Sequence, residues 1–126
     1  MTGALAAALR AHAAGLYPGE AGTELIISHG GFLDRPDFTR FIDHGISITD
    51  GVTPTAQIDW HAVVSALHAG RLPVSGSERP ILKLAASLAG NRYITLRDTI
   101  PGLDDRNLAL VITAIRHAAG HPPPRH

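Results

Sequence analysis

The sequence has no cysteine, which excludes disulfide bonds, thiolate nucleophiles and cysteine-based zinc or iron–sulfur sites. Aromatic residues make up only 5% of the chain, so we expect a core of Leu, Ile, Val and Ala in closely packed helices. No window approaches the roughly 20 apolar residues that a membrane-spanning helix needs, and no basic leader followed by an apolar run marks a signal peptide. These absences predict a soluble, cytoplasmic protein without a membrane partner.

Acidic and basic residues are equal in number, with 11 of each. A chain without net charge is a poor general binder of polyanions. The charges are nevertheless unevenly distributed: residues 1–70 contain three basic and seven acidic side chains, a balance of −4, and residues 71–126 contain eight and four, a balance of +4. This asymmetry indicates a nucleic acid or complementary protein partner, or two halves that face each other within one domain.

Helical spacing of apolar residues dominates the chain. Residues at intervals of three and four predict long helices over residues 2–15, 19–29, 59–69, 78–89 and 104–119, and short helical turns around residues 36–42 and 96–100. Thr2, Asp59 and Asp104 are suitable N-caps, and Ser75 with Glu78 has the spacing of a capping box. In the last helix we expect the core stripe to be Leu108, Val111, Ile112 and Ile115.

Residues 45–54 follow a different pattern. Ile46 and Ile48 alternate with polar residues, and Asp50-Gly51 is a favoured hairpin turn. We therefore expect a mainly α protein, a single compact domain of five to six helices over residues 1–120, with at most one small β-hairpin near residues 46–53. The proline-rich residues 121–126 are predicted to form a disordered tail.

Three helical segments close the chain, over residues 80–89, 96–100 and 104–119. Their order resembles the core of helix-turn-helix and winged-helix regulators, in which the third helix enters the major groove. The resemblance implies DNA binding by the face opposite the core stripe. The candidate DNA or partner contacts are Arg97, Arg106, Leu110, Thr113, Arg116 and His117.

Two features count against DNA binding. Asp104 and Asp105 occupy the helix N-terminus, whose free N–H groups would otherwise attract a phosphate. The chain also offers no residues for a wing after the last helix. Ordinary helix packing or a protein contact is the alternative interpretation of this segment.

The eight histidines raise a metal-dependent hydrolase as a further alternative. His117 and His121 have the i, i+4 spacing of two ligands on one helix, but Gly120 is expected to end the helix between them. Neither an H-E-x-x-H motif nor any other catalytic signature occurs. We expect no cofactor and no metal, and a non-enzymatic protein is the more favoured interpretation.

Several short segments are similar to small uncharacterised helical proteins of high-GC bacteria. They are ELIISHGGFL at residues 24–33, LPVSGSE at residues 72–78, LAASLAG at residues 84–90 and LDDRN at residues 103–107. The resemblance implies a compact helical domain of bacterial origin and transfers no catalytic residue. Our leading hypothesis is a protein-interaction or regulatory module that self-associates, as a homodimer, through its last or its alanine-rich first helix. A DNA-binding regulator comes second.

Overall fold

The computed structural model describes residues 3–124, which form seven α-helices and one β-hairpin. The helices are α1 (Gly3–Ala13), α2 (Tyr17–His29), α3 (Pro36–Thr39), α4 (Trp60–His68), α5 (Glu78–Gly90), α6 (Leu96–Thr99) and α7 (Asp105–Ala118), with a 3₁₀ turn at Ile100–Gly102. The strands are β1 (Ile42–Ile46) and β2 (Pro54–Ile58). The predicted mainly α domain is confirmed, and the helix count exceeds five to six because α3 and α6, with four residues each, are also helices.

Some predicted features at the two ends of the chain lie outside the described residues. The predicted N-cap Thr2 and the last two residues of the predicted tail lie outside the described residues. His121–Pro124 follow α7 without helix or strand. Within residues 3–124, no helix is long and apolar enough to span a membrane.

Capping interactions begin and end the helices where the sequence predicts them. Asp59 and Asp104 each accept a hydrogen bond from the backbone N–H three residues on, at 3.0 Å and 2.8 Å. The capping box is reciprocal, because the Ser75 N–H donates to Glu78 Oε1 at 2.8 Å and the Glu78 N–H donates to Ser75 Oγ at 3.2 Å. Gly30 ends α2 in the left-handed conformation, with φ 85°. Local side-chain chemistry therefore sets these helix boundaries.

A β-hairpin surrounds the residues where the sequence predicts one. β1 and β2 pair antiparallel with Ile42 opposite Ile58, so the strands flank residues 47–53 instead of occupying them. Those residues form a seven-residue loop. The Asp50 carboxylate holds its tip by accepting hydrogen bonds from the N–H groups of Val52 and Thr53, both at 2.9 Å. The predicted hairpin near residues 46–53 is confirmed, but its strands lie on either side of these residues because a seven-residue loop, and not the predicted two-residue turn, joins them.

Helix α2 lies at the centre of the fold, with α5 and α7 packed against it. Its predicted core residues Ala21, Leu25 and Ile26 are all buried. The contact with α5 is very close at Gly22, where an added Cβ would lie 2.7 Å from the Cβ of Ala89. Small residues on both helices therefore let the two backbones approach each other.

The hairpin and α4 complete the core. Strand β2 packs against α1 and turns Ala56 and Ile58 inward. Trp60 is buried at the start of α4, as predicted for a core anchor, and it packs against α5 at Gly90. Most of β1 after Ile42 is exposed. The fold therefore leaves α7 and the outer strand on its surface.

Candidate interaction surface

Helix α7 is fixed to α2 at both ends. Near its N-terminus, the Arg106 guanidinium donates hydrogen bonds to the backbone carbonyls of Ser28 and His29, at 3.3 Å and 2.8 Å. Near its C-terminus, the Nε2 atom of His117 lies 2.8 Å from Glu20 Oε1. Because Glu20 lies in the first turn of α2 and His29 ends the helix, α2 and α7 run antiparallel with a polar contact at each end.

These contacts decide which face of α7 is buried. Asn107 Nδ2 donates to the Ser77 carbonyl at 3.0 Å, and the buried stripe runs from it along the helix. That stripe consists of Asn107, Val111, Ala114 and His117. Two of its members are polar, but each has a hydrogen-bond partner inside the fold, so their burial carries no penalty for an unpaired group. The predicted core stripe of α7 is therefore wrong at every position except Val111.

The residues that were expected in the core lie instead on the surface of α7. Leu108, Ile112 and Ile115 are 40%, 50% and 53% exposed. Asp105 and Arg116 are exposed at the two ends of the same side. At about 100° per residue, all five fall within a sector about 100° wide. We call this set, Asp105, Leu108, Ile112, Ile115 and Arg116, the outer face of α7.

The six predicted contact residues are divided by the structure. Three of them are exposed: Arg97, Thr113 and Arg116. Arg106 is also exposed, but it is hydrogen-bonded to α2. Leu110 is half-buried against the core, and His117 is buried. The prediction that the outward face of the last helix shows Leu110 and His117 is therefore wrong. Leu110 and His117 belong to the packing of α7 on α2, and the guanidinium of Arg106 serves as a cap for the last carbonyls of α2.

Helical periodicity alone assigned Leu108, Ile112 and Ile115 to the core, so their functional interest was not predicted. A signal was present: Asp105 and Arg116, opposite in charge, bracket these three residues at helical spacing. Charged residues at both ends of an apolar stripe are typical of a surface more than of an interior.

The imidazole of His29 lies where α2 meets the start of α7. Its Nδ1 accepts a hydrogen bond from the Gly31 N–H at 3.3 Å, and its ring centroid lies 4.8 Å from that of Phe32. Burial lowers the pKa of His29 below its ordinary value, and the nearby Arg106 charge lowers it further, while Glu78 and Asp104 oppose the shift. The site therefore favours a neutral imidazole.

The histidines of the described chain do not gather into a metal site. Among residues 3–124, no group of three or more His, Asp or Glu side chains is placed to hold a metal ion. The Nε2 atom of His117 is bonded to Glu20. Gly120, with φ 100°, ends the helix before His121, as its position in the sequence predicts.

Comparison with known proteins adds no family. No protein-family model, curated protein or solved structure matches the chain significantly. The outer face of α7 is therefore interpreted from its own geometry and chemistry.

Proposed function

We propose that this chain is a non-enzymatic interaction module that self-associates through the outer face of α7. The observation that carries the proposal is the row formed by Leu108, Ile112 and Ile115, three large apolar side chains exposed at i, i+4 and i+7. Single exposed apolar residues are common on soluble proteins. A contiguous apolar row with charged residues at its rim is instead typical of a protein contact site.

The charges of this face favour a second copy of the chain as the partner. Asp105 lies at the N-terminal end of the row and Arg116 at the C-terminal end, and neither makes an ion pair within residues 3–124. When two copies of α7 pack antiparallel about a two-fold axis, Asp105 of each copy faces Arg116 of the other. The same arrangement brings Leu108 of each copy beside Ile112 of the other. The face is therefore complementary to itself, as a two-fold interface requires.

A parallel arrangement is disfavoured by the same charges. It would place the two Asp105 carboxylates together at one end and the two Arg116 guanidinium groups together at the other. The 14 residues of α7 span only about 21 Å, at about 1.5 Å per residue. One pair of such helices is a small interface, so we expect a concentration-dependent dimer and not a permanent one.

Sedimentation velocity over a wide range of protein concentration tests the proposal. We expect the wild-type mass to rise with concentration, and the Ile112→Glu variant to stay monomeric because each dimer would bury two carboxylates near the two-fold axis. Val52→Glu is the matched control, because Val52 is 74% exposed in the loop of residues 47–53, away from α7. A monomeric wild-type protein, or equal dimerisation of the wild type and Ile112→Glu, would refute the proposal.

Charge reversal tests the antiparallel arrangement. Arg116→Glu should weaken the dimer, because each new carboxylate would face Asp105 of the second copy. Adding Asp105→Lys to this variant should restore much of the lost association, since the pair is then reversed in sign but again complementary. Circular dichroism checks that both variants stay helical. If the double variant is weaker than Arg116→Glu, the antiparallel arrangement is wrong.

DNA binding is the weaker proposal. Arg97, Thr113 and Arg116 are exposed and available to a duplex, but Arg106 already bonds to the end of α2. Fluorescence anisotropy with a mixed-sequence duplex distinguishes the two proposals. Binding that falls steeply with salt and is lost in Arg116→Glu would favour DNA, whereas no binding at low salt would leave self-association as the proposed function.

A further inference from the structure

A second feature of the molecule, separate from α7, is a cleft between α4, α5 and residues 92–99. Its volume is about 280 Å³. The buried side chains of Val63, Leu67, Leu82 and Ala86 line it, so the cleft has an apolar floor. Ligand sites in proteins combine an apolar floor of this kind with a few polar groups that orient the ligand.

The charged groups of the cleft are mainly basic. Lys83, the only lysine in the sequence, and Arg92 both line it, and Asp98 is the one carboxylate of the lining. Lys83 is half-buried and makes no hydrogen bond or ion pair within residues 3–124. The ammonium group of a long side chain is thus held beside apolar surface without an anionic partner in the described part of the chain.

Arg92 is positioned by two groups that carry no negative charge. Its Nε donates to the Gly90 carbonyl at 3.5 Å and its Nη1 lies 3.2 Å from His61 Nδ1. Neither contact neutralises the guanidinium charge. The cleft therefore combines an apolar floor with two cations that have no carboxylate within ion-pair distance in the described chain, which is the chemistry that recognises an anionic head group on an apolar body.

We propose that this cleft binds a small amphipathic carboxylate, with the apolar part on the floor and the carboxylate at Lys83 and Arg92. The volume sets the size: the cleft is roughly twice a cavity of about 150 Å³ that holds one benzene molecule, which suits a ligand of about ten non-hydrogen atoms. The site shares no residue with the outer face of α7, so this inference does not depend on self-association.

Isothermal titration calorimetry with three probes of equal chain length tests the inference. Octanoate, 1-octanol and octylammonium each contain eight carbon atoms and carry an anionic, a neutral and a cationic head. We expect octanoate to bind about fivefold more tightly than 1-octanol, since a partly exposed ion pair contributes up to about a factor of five. Octylammonium should bind more weakly than either, because Lys83 and Arg92 repel it.

The Lys83→Met variant separates the charge from the packing, because methionine keeps an unbranched apolar stem. It should bind octanoate more weakly than the wild type does, because only Arg92 then faces the carboxylate, at unchanged affinity for 1-octanol. Arg79→Met is the matched control, since Arg79 is exposed in the first turn of the same helix and does not line the cleft. The absence of octanoate binding at millimolar concentration, equal affinity for octanoate and 1-octanol, or equal losses in the two variants would overturn the inference.

Discussion

The close contact between α2 and α5 gives a prediction in which two effects of opposite sign compete. Gly22→Ala should stabilise α2 by about 1 kcal/mol through helix propensity. The new Cβ would also lie 2.7 Å from the Ala89 Cβ, 2.8 Å from the Ala85 carbonyl oxygen and 2.9 Å from the Ala89 nitrogen. Two of these atoms belong to the backbone, so no side-chain rotation relieves the clash and the helices must separate.

Overpacking of this kind costs about 3 kcal/mol at the upper end of its usual range. The clash therefore outweighs the propensity gain, and we expect Gly22→Ala to lower the free energy of unfolding by about 2 kcal/mol. For a domain of this length that corresponds to a fall in Tm of about 7 °C. Thermal unfolding followed by circular dichroism, confirmed by urea titration at one temperature, measures the effect.

Gly19→Ala is the matched control in the same helix. A Cβ at Gly19 would meet only the Ala13 carbonyl oxygen, at 4.0 Å, which is ordinary contact. Its Tm should be equal to that of the wild type or slightly higher, because only the propensity gain remains. If Gly22→Ala is as stable as Gly19→Ala, the reasoning is refuted, because α2 and α5 would then not approach at the distance described.

Two further predictions concern the contact between α2 and α7. Arg106→Met should lower the free energy of unfolding by about 0.5 kcal/mol in urea titration, because the last carbonyls of α2 lose an exposed cationic donor. Arg97→Met is the control and should have no effect, because the exposed Arg97 side chain makes no bond within residues 3–124. Equal losses of stability in the two variants would contradict this prediction. The pKa of His29 in the folded protein lies below its unfolded value of 6.5, so between these two pKa values the unfolded chain binds more protons than the folded one. The stability of the fold should therefore fall as the pH drops through 6.5 toward the folded pKa. His29→Gln should therefore reduce the difference in urea midpoint between about pH 7.5 and about pH 5.5, and an unchanged difference would show that His29 does not contribute.

Local patterns predicted most of the helical framework. The apolar spacing of α2 and α4 and the capping residues Asp59 and Asp104 act within a few residues, so the sequence alone contains the relevant physics. The hairpin near residues 46–53 was predicted, but its strand residues and the length of its loop were not. Strand pairing between Ile42 and Ile58 joins residues far apart in the chain, and the Asp50 interactions that close the loop offered no periodic signal.

Helix α7 shows most clearly which features the local sequence determines and which the tertiary structure determines. The sequence by itself determined that residues 104–119 form a helix capped by Asp104, because capping and periodicity are local. It did not determine which side is buried, since both possible stripes contain apolar residues. The tertiary structure decided this by giving Asn107 a partner just before α5 and His117 a partner on α2. Once those polar groups were paired inside, the larger apolar residues were left outside, where we propose that a second copy covers them.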